Sequence, residues 1–172
     1  MTRLTRLFFF LFLTGFSVFL GGSVIRTAIA YNVFVPGTLN LKDNLPNEFF
    51  TTSIALYSAT AIYTTVSYTL CFATAILLLL AFRHSLRRHG WLLMSYVLFF
   101  LVSPVHFVQF FYEYRIYEAL QNQRFTEALQ HFLRFFEIGG LATMLANFSY
   151  LTIFLLVAWR PLERSKGVIN ED

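Results

Sequence analysis

A chain of 172 residues that is 57% hydrophobic and 13% charged, with a mean hydropathy of +0.61, lies far from the roughly 25% charged content of soluble domains, which excludes water as its main solvent. The net charge of +4 does not read as nucleic-acid binding, because the basic residues cluster at the ends of apolar runs instead of forming one face, the distribution that membrane topology produces. The single cysteine, Cys71, excludes an internal disulfide and a multi-cysteine zinc site.

A helix needs about 20 predominantly apolar residues to cross hydrocarbon, where no backbone polar group can go unpaired. Four runs meet that length, at about residues 7–30, 52–82, 91–112 and 138–159. They are too long and too continuous for the alternating strands of a barrel. The expected fold is therefore an all-α integral membrane protein. One domain, residues 1–160, holds four transmembrane helices in a bundle plus one amphipathic interfacial helix on the outer side, followed by an exposed tail, 161–172.

In the first run, MTRLTR before an apolar stretch and AIA at its end imitate a signal peptide. The run exceeds the ~7 to 15 residues of a signal core, so it is expected to remain as a span. It carries Ser17 and Gly21 four apart, with Gly15 and Gly22 beside them, small residues suited to close helix contact. Residues 31–48, with Pro36, Gly37 and Pro46, read as an irregular outer loop lying on the bilayer.

The second run is rich in hydroxyls. Ser53, Tyr57, Thr60, Thr64, Ser67, Cys71 and Thr74 recur at spacings of four and three, one continuous heptad stripe. Such a stripe predicts a packing face, since helices in lipid associate over small residues and hydroxyl hydrogen bonds rather than by burying apolar surface. As one helix the run from Phe49 to Phe82 would measure about 51 Å, against a hydrocarbon core of about 30 Å. Its outer end must tilt or project. In the turn that follows, His84 and His89 are spaced poorly for a shared helical metal site and sit beside arginines suited to lipid head groups.

The third run contains Ser103 and Pro104, which predicts a bend near Val102. Beyond it Ser103, His106, Gln109 or Phe110, and Glu113 share one face. Residues 113–137 place Phe125, Leu129, Phe132, Leu133 and Phe136 on one side of a helix with charges around the other, the pattern of a helix in the interface plane. The fourth run brings Gly139, Gly140, Thr143 and Ala146 as small partners for the hydroxyl stripe. Arg160 and Pro161 end it.

Counting Lys and Arg sets the orientation. Arg3, Arg6, Arg83, Arg87, Arg88, Arg160, Arg164 and Lys166 lie on the side of the termini, against Arg26, Lys42, Arg115, Arg124 and Arg134 on the other. Both termini are expected in the cytoplasm, with a bacterial inner membrane as the expected location.

Antiparallel spans bring Arg26, Tyr57, His106, Gln109 and Asn147 to one depth in the outer third of the bilayer, the weak candidates for a cofactor-binding cluster. Ionisable groups there are costly and are functional candidates by default. The plainer alternative is that Arg26 snorkels outward while His106 bonds a neighbouring Ser or Asn. A quinone or head-group site is a sharper alternative, and haem ligation lacks a second histidine inside a span. No catalytic motif and no metal set appear, so no catalytic residue, metal or cofactor is expected. The expected partners are membrane lipids and other integral-membrane subunits, not nucleic acid. The expected function is a noncatalytic accessory or structural subunit of a larger membrane complex, packing laterally through its small and polar seams. The runner-up is a small carrier, or a quinone- or lipid-binding redox module, built around His106.

Overall fold

The computed structural model describes residues 3–86 and 89–159, with only the backbone at 84 and 85. The expected tail at 161–172 and the arginines at 87, 88, 160 and 164 lie outside the described residues. Four helices follow in order: α1, Arg3–Tyr31; α2, Asn47–Leu86; α3, Gly90–Gln121; and α4, Phe125–Trp159. Each is long and apolar enough to cross a membrane. All four outlast the apolar run that marks them. The 40 residues of α2 extend about 60 Å, twice the thickness of a hydrocarbon core. Pro104 lies inside α3, whose helical assignment continues through it.

The separate interfacial helix expected over 113–137 does not form. Its first part continues α3, its second begins α4, and a tight turn at 122–124 separates them. Gln123 adopts a left-handed conformation (φ 57°). Its N–H donates to Leu120 O (3.1 Å) and the Arg124 N–H to Ala119 O (2.8 Å), the two bonds of a Schellman C-terminus. The fold favours this hairpin because it covers the apolar faces on both sides of the turn. Ile116 and Ala119 of α3 and Ala128, Phe132, Phe135 and Phe136 of α4 are buried in one cluster.

The loop at 32–46 closes over the same end instead of lying apart from it. An isolated bridge pairs Phe34 with Leu41, the Val35 N–H reaches Asn40 O at 2.8 Å, and Gly37 takes the positive φ (80°) that the turn requires. Val33 and Phe34 are thereby turned inward and buried, with Phe34 stacked on Phe132 at 5.9 Å.

α1 runs closest along α2, and α3 along α4. The α2 stripe is placed as follows: Tyr57, Thr64, Cys71 and Thr74 are buried and Ser53, Thr60 and Ser67 half-buried. Its partners on α1 are Gly15 and Gly22, not Ser17 and Gly21. A Cβ at Gly15 would lie 3.0 Å from Cys71 Sγ, and one at Gly22 would lie 2.6 Å from Thr64 Cγ2. Ser17 and Gly21 are exposed, and a Cβ at Gly21 would meet nothing. The physical reason is rotation: the glycines seven apart match a heptad stripe, which turns the pair at 17 and 21 outward. Gly139 and Gly140 are buried, but added Cβ atoms would touch only Phe135 and Phe136 of their own helix, so they bring no second backbone close. Several stripe hydroxyls also bond inward along α2 rather than across to a neighbour. Thr60 donates to Leu56 O and Thr74 to Leu70 O, the back-bonding habit of helical threonine.

Two hydrophobic clusters result. The distal one, at the end of the loop and the α3–α4 turn, gathers Ala30, Val33, Phe34, Ile54, Tyr57 and the α3–α4 residues just named. The proximal one, toward the termini, contains Phe16, Phe19, Tyr68, Cys71, Phe99 and Tyr150. Between them lies a polar layer.

Candidate functional site: a buried polar layer

Helical spacing places Ser103, His106, Gln109 and Glu113 on one face of α3, and all four are buried. Arg26 reaches this face from α1. Its Nη1 lies 2.6 Å from Glu113 Oε1 and donates to Thr64 Oγ1 of α2 at 2.9 Å. The guanidinium sits over the Tyr57 ring, 4.2 Å from its centre. Arg26 is 2% exposed and Glu113 4%. Such a pair is costly to assemble, and removing one partner strands a charge in a low-dielectric interior.

Hydrogen-bond roles along α3 follow from the anchored carboxylate. Glu113 accepts from Gln109 Nε2 at 2.6 Å, so Gln109 presents its carbonyl oxygen to His106 Nδ1 at 3.2 Å. Nδ1 must therefore carry the proton. Nε2 then holds a lone pair without a partner. The ring is fully enclosed, stacked on Tyr150 at 5.3 Å and edged by Phe19 at 5.0 Å. A second chain runs beside it. Ser103 donates to Phe99 O at 2.8 Å and so accepts from the Tyr68 hydroxyl at 2.8 Å. Tyr68 has then spent its proton, and Tyr150 donates to it at 3.0 Å.

Four of the five sequence-level candidates, Arg26, Tyr57, His106 and Gln109, are brought together by these contacts. Asn147 is half-buried and its Oδ1 has no partner. It stays outside the bonded chain. The residue missed as a site member is Glu113. Its position on the His106 face was the available signal, but a span ending at 112 put it beyond the bundle. Tyr68 and Tyr150 carried no comparable signal, since their meeting depends on how α2 and α4 are rotated.

The layer has recesses on opposite sides. Between α1 and α4 a cavity of about 20 Å³ lies beside Arg26, Thr27, Tyr31 and Thr143. Arg26 Nε and Nη2 and Thr143 Oγ1 have no partner there. That volume is about the room of one water molecule. Between α2 and α3 an open groove of about 390 Å³ is lined by Ser58, Ala59, Ile62, Thr65, Glu113 and Tyr114, among others. Among the described residues, no group of three His, Cys, Asp or Glu side chains is placed to hold a metal ion. Compared with protein-family models, curated proteins and solved structures, the chain matches none of them.

Proposed function

We propose that this chain is a noncatalytic integral-membrane subunit. It crosses the bilayer four times, keeps both termini on the cytoplasmic side, and packs laterally against another membrane polypeptide. The observation that carries the reading is the burial and mutual pairing of the polar layer. Arg26, Glu113, Gln109 and His106 spend their strongest contacts on one another, and the His106 ring is wholly enclosed by aromatic side chains. The outward faces of all four helices are apolar, with Val18, Ile62, Leu101 and Phe148 among the exposed side chains. The outward Ser17 and Gly21 give an approaching helix a low-relief face.

Purification in mild detergent tests the reading, with elution as a complex or as a self-associated species as the expected result. A wild-type chain that always elutes alone overturns it. Gly21→Leu locates the face, because a side chain there meets nothing within the chain: loss of the partner with unchanged thermal unfolding is expected.

The carrier or quinone-site alternative draws on one observation, the unpartnered Nε2 of His106. His106→Ala separates the two readings. As a subunit the chain changes only in assembly or abundance; as a carrier it loses turnover while remaining intact.

A further inference from the structure

The guanidinium of Arg26 is engaged at one end only. Arginine carries five N–H groups, and Nη1 directs its two at Glu113 Oε1 (2.6 Å) and Thr64 Oγ1 (2.9 Å). The other edge, Nε with Nη2, is the fork that meets anions through two parallel bonds. Neither of its atoms has a partner within the chain, and Arg26 is only 2% exposed.

Arg26 lines the small cavity of about 20 Å³ between α1 and α4. Thr143 lines it from α4, and its buried hydroxyl is also without a partner. Among the described residues around this cavity there is no carboxylate; Glu113 lines the groove on the other side of the layer. The uncommitted groups are therefore three N–H of Arg26 and the O–H of Thr143, all of them donors. A water molecule has only two lone pairs to offer them, whereas a monatomic anion accepts from every direction. Size narrows the class further. Room for about one water excludes carboxylates, phosphates and sulfates, and admits a halide.

The cavity also has an approach. A wider recess of about 390 Å³ between the 32–46 loop and α4 shares Tyr31, Phe136, Gly140 and Met144 with it. The Tyr31 hydroxyl donates to Met144 Sδ at 3.7 Å, and a thioether is a weak acceptor, so little holds these two residues together. Glu137 lines the recess but not the cavity. From Trp91 to Gln109, which lines the cavity, α3 rises about 27 Å, against a hydrocarbon core of about 30 Å. Under the membrane reading the recess thus opens at the outer interface.

We propose that this cavity is a chloride site, the ion accepting from the Nε and Nη2 edge of Arg26 and from the Thr143 hydroxyl. The ion ties α1 to α4, two helices whose backbones do not run close together. Glu113 keeps its place on Nη1, so the occupied layer carries one net negative charge, which holds the affinity in the millimolar range. The inference goes beyond the subunit reading and stands without it, since a chain that elutes alone can still bind halide.

The experiment follows thermal unfolding of the full chain in detergent in sodium chloride, sodium bromide or sodium gluconate at equal ionic strength, gluconate being too large for the cavity. A ligand that binds only the folded chain raises its stability, so the midpoint should be about 2–4 °C higher in either halide. The chlorine NMR line should broaden saturably with protein, and bromide should reverse the broadening. Thr143→Val removes a hydroxyl that bonds nothing within the chain, so unfolding in gluconate should be unchanged. Its chloride affinity should fall about tenfold, the loss expected for one hydrogen bond to a charged group. Thr143→Ser, which keeps the hydroxyl, should retain the halide response. Equal midpoints in chloride and gluconate would mean that water fills the cavity, and a full response in Thr143→Val would put the ion elsewhere; either result overturns the proposal.

Discussion

Along α1 and α2 the backbones approach over Gly15 and Gly22, with Thr64 and Cys71 filling what little space remains. Along α3 and α4 the distal interface is filled by rings instead: Phe132, Phe135 and Phe136 pack on one another and on Tyr112, Tyr57 and Phe34. The first contact depends on what is missing from a side chain, the second on what is present. Added volume should therefore harm the first pair and be absorbed by the second. The two pairs are joined by both hydrophobic clusters and, between these, by the polar layer, in which Arg26 of α1 is bonded to Glu113 of α3.

The largest effect should come from cutting that join. Glu113→Ala leaves Arg26 charged and alone, and stability should fall by about 3–5 kcal/mol. The Arg26→Met, Glu113→Met double variant, which removes both charges, should recover most of the loss. Thermal unfolding in detergent measures both, and a double variant as weak as the single would mean that the charges themselves stabilise the bundle. The comparison of the pairs is broken or kept by alanine at two glycines. Gly22→Ala drives a methyl into Thr64 and should cost about 1–3 kcal/mol. Gly140→Ala makes only an ordinary contact with Phe136, at 3.4 Å, and should gain about 0.5–1 kcal/mol from lower chain entropy in the unfolded state. Equal losses at the two sites would erase the distinction between the pairs. The smallest effect sharpens the account of the α3–α4 turn. Gln123→Gly relieves a left-handed non-glycine residue and should raise stability by about 1 kcal/mol.

Hydropathy located all four helices and the end of α4 at Trp159, but it started α2 and α4 too late and ended α3 too early. It responds to the thickness of hydrocarbon, whereas a helix continues as long as its backbone bonds and apolar face are satisfied. The first turns of α2 from Asn47, the last of α3 to Gln121 and the first of α4 from Phe125 are held by the distal cluster and so lie outside any apolar window. The turn at Gln123 was hidden because a glycine, its usual signature, is absent. Residues 113–137 thus read as one amphipathic stretch although the chain reverses within it. Periodicity found the stripe on α2 from its spacing alone. The choice between Gly15 with Gly22 and Ser17 with Gly21 required the rotation of α1 about its axis, which spacing within one helix cannot supply. Arg26, His106 and Gln109 were legible as a cluster because ionisable and amide groups stand out in apolar runs, and Glu113 was lost because the span was ended at 112, one residue before it and well short of the end of α3 at Gln121.

The partnership of Arg26 with Glu113 also bears on how the chain is made. A ribosome delivers α1 and α2 first, and domains form in the order of synthesis. Through roughly half of translation the arginine is therefore without its counter-ion, and Phe34 waits still longer for Phe132. Under the membrane reading proposed above, the leading hairpin must during that interval be sheltered by the insertion machinery or by water drawn in around the guanidinium. Arrival of the third helix is the event that neutralises the nascent bundle, and arrival of the fourth seals it.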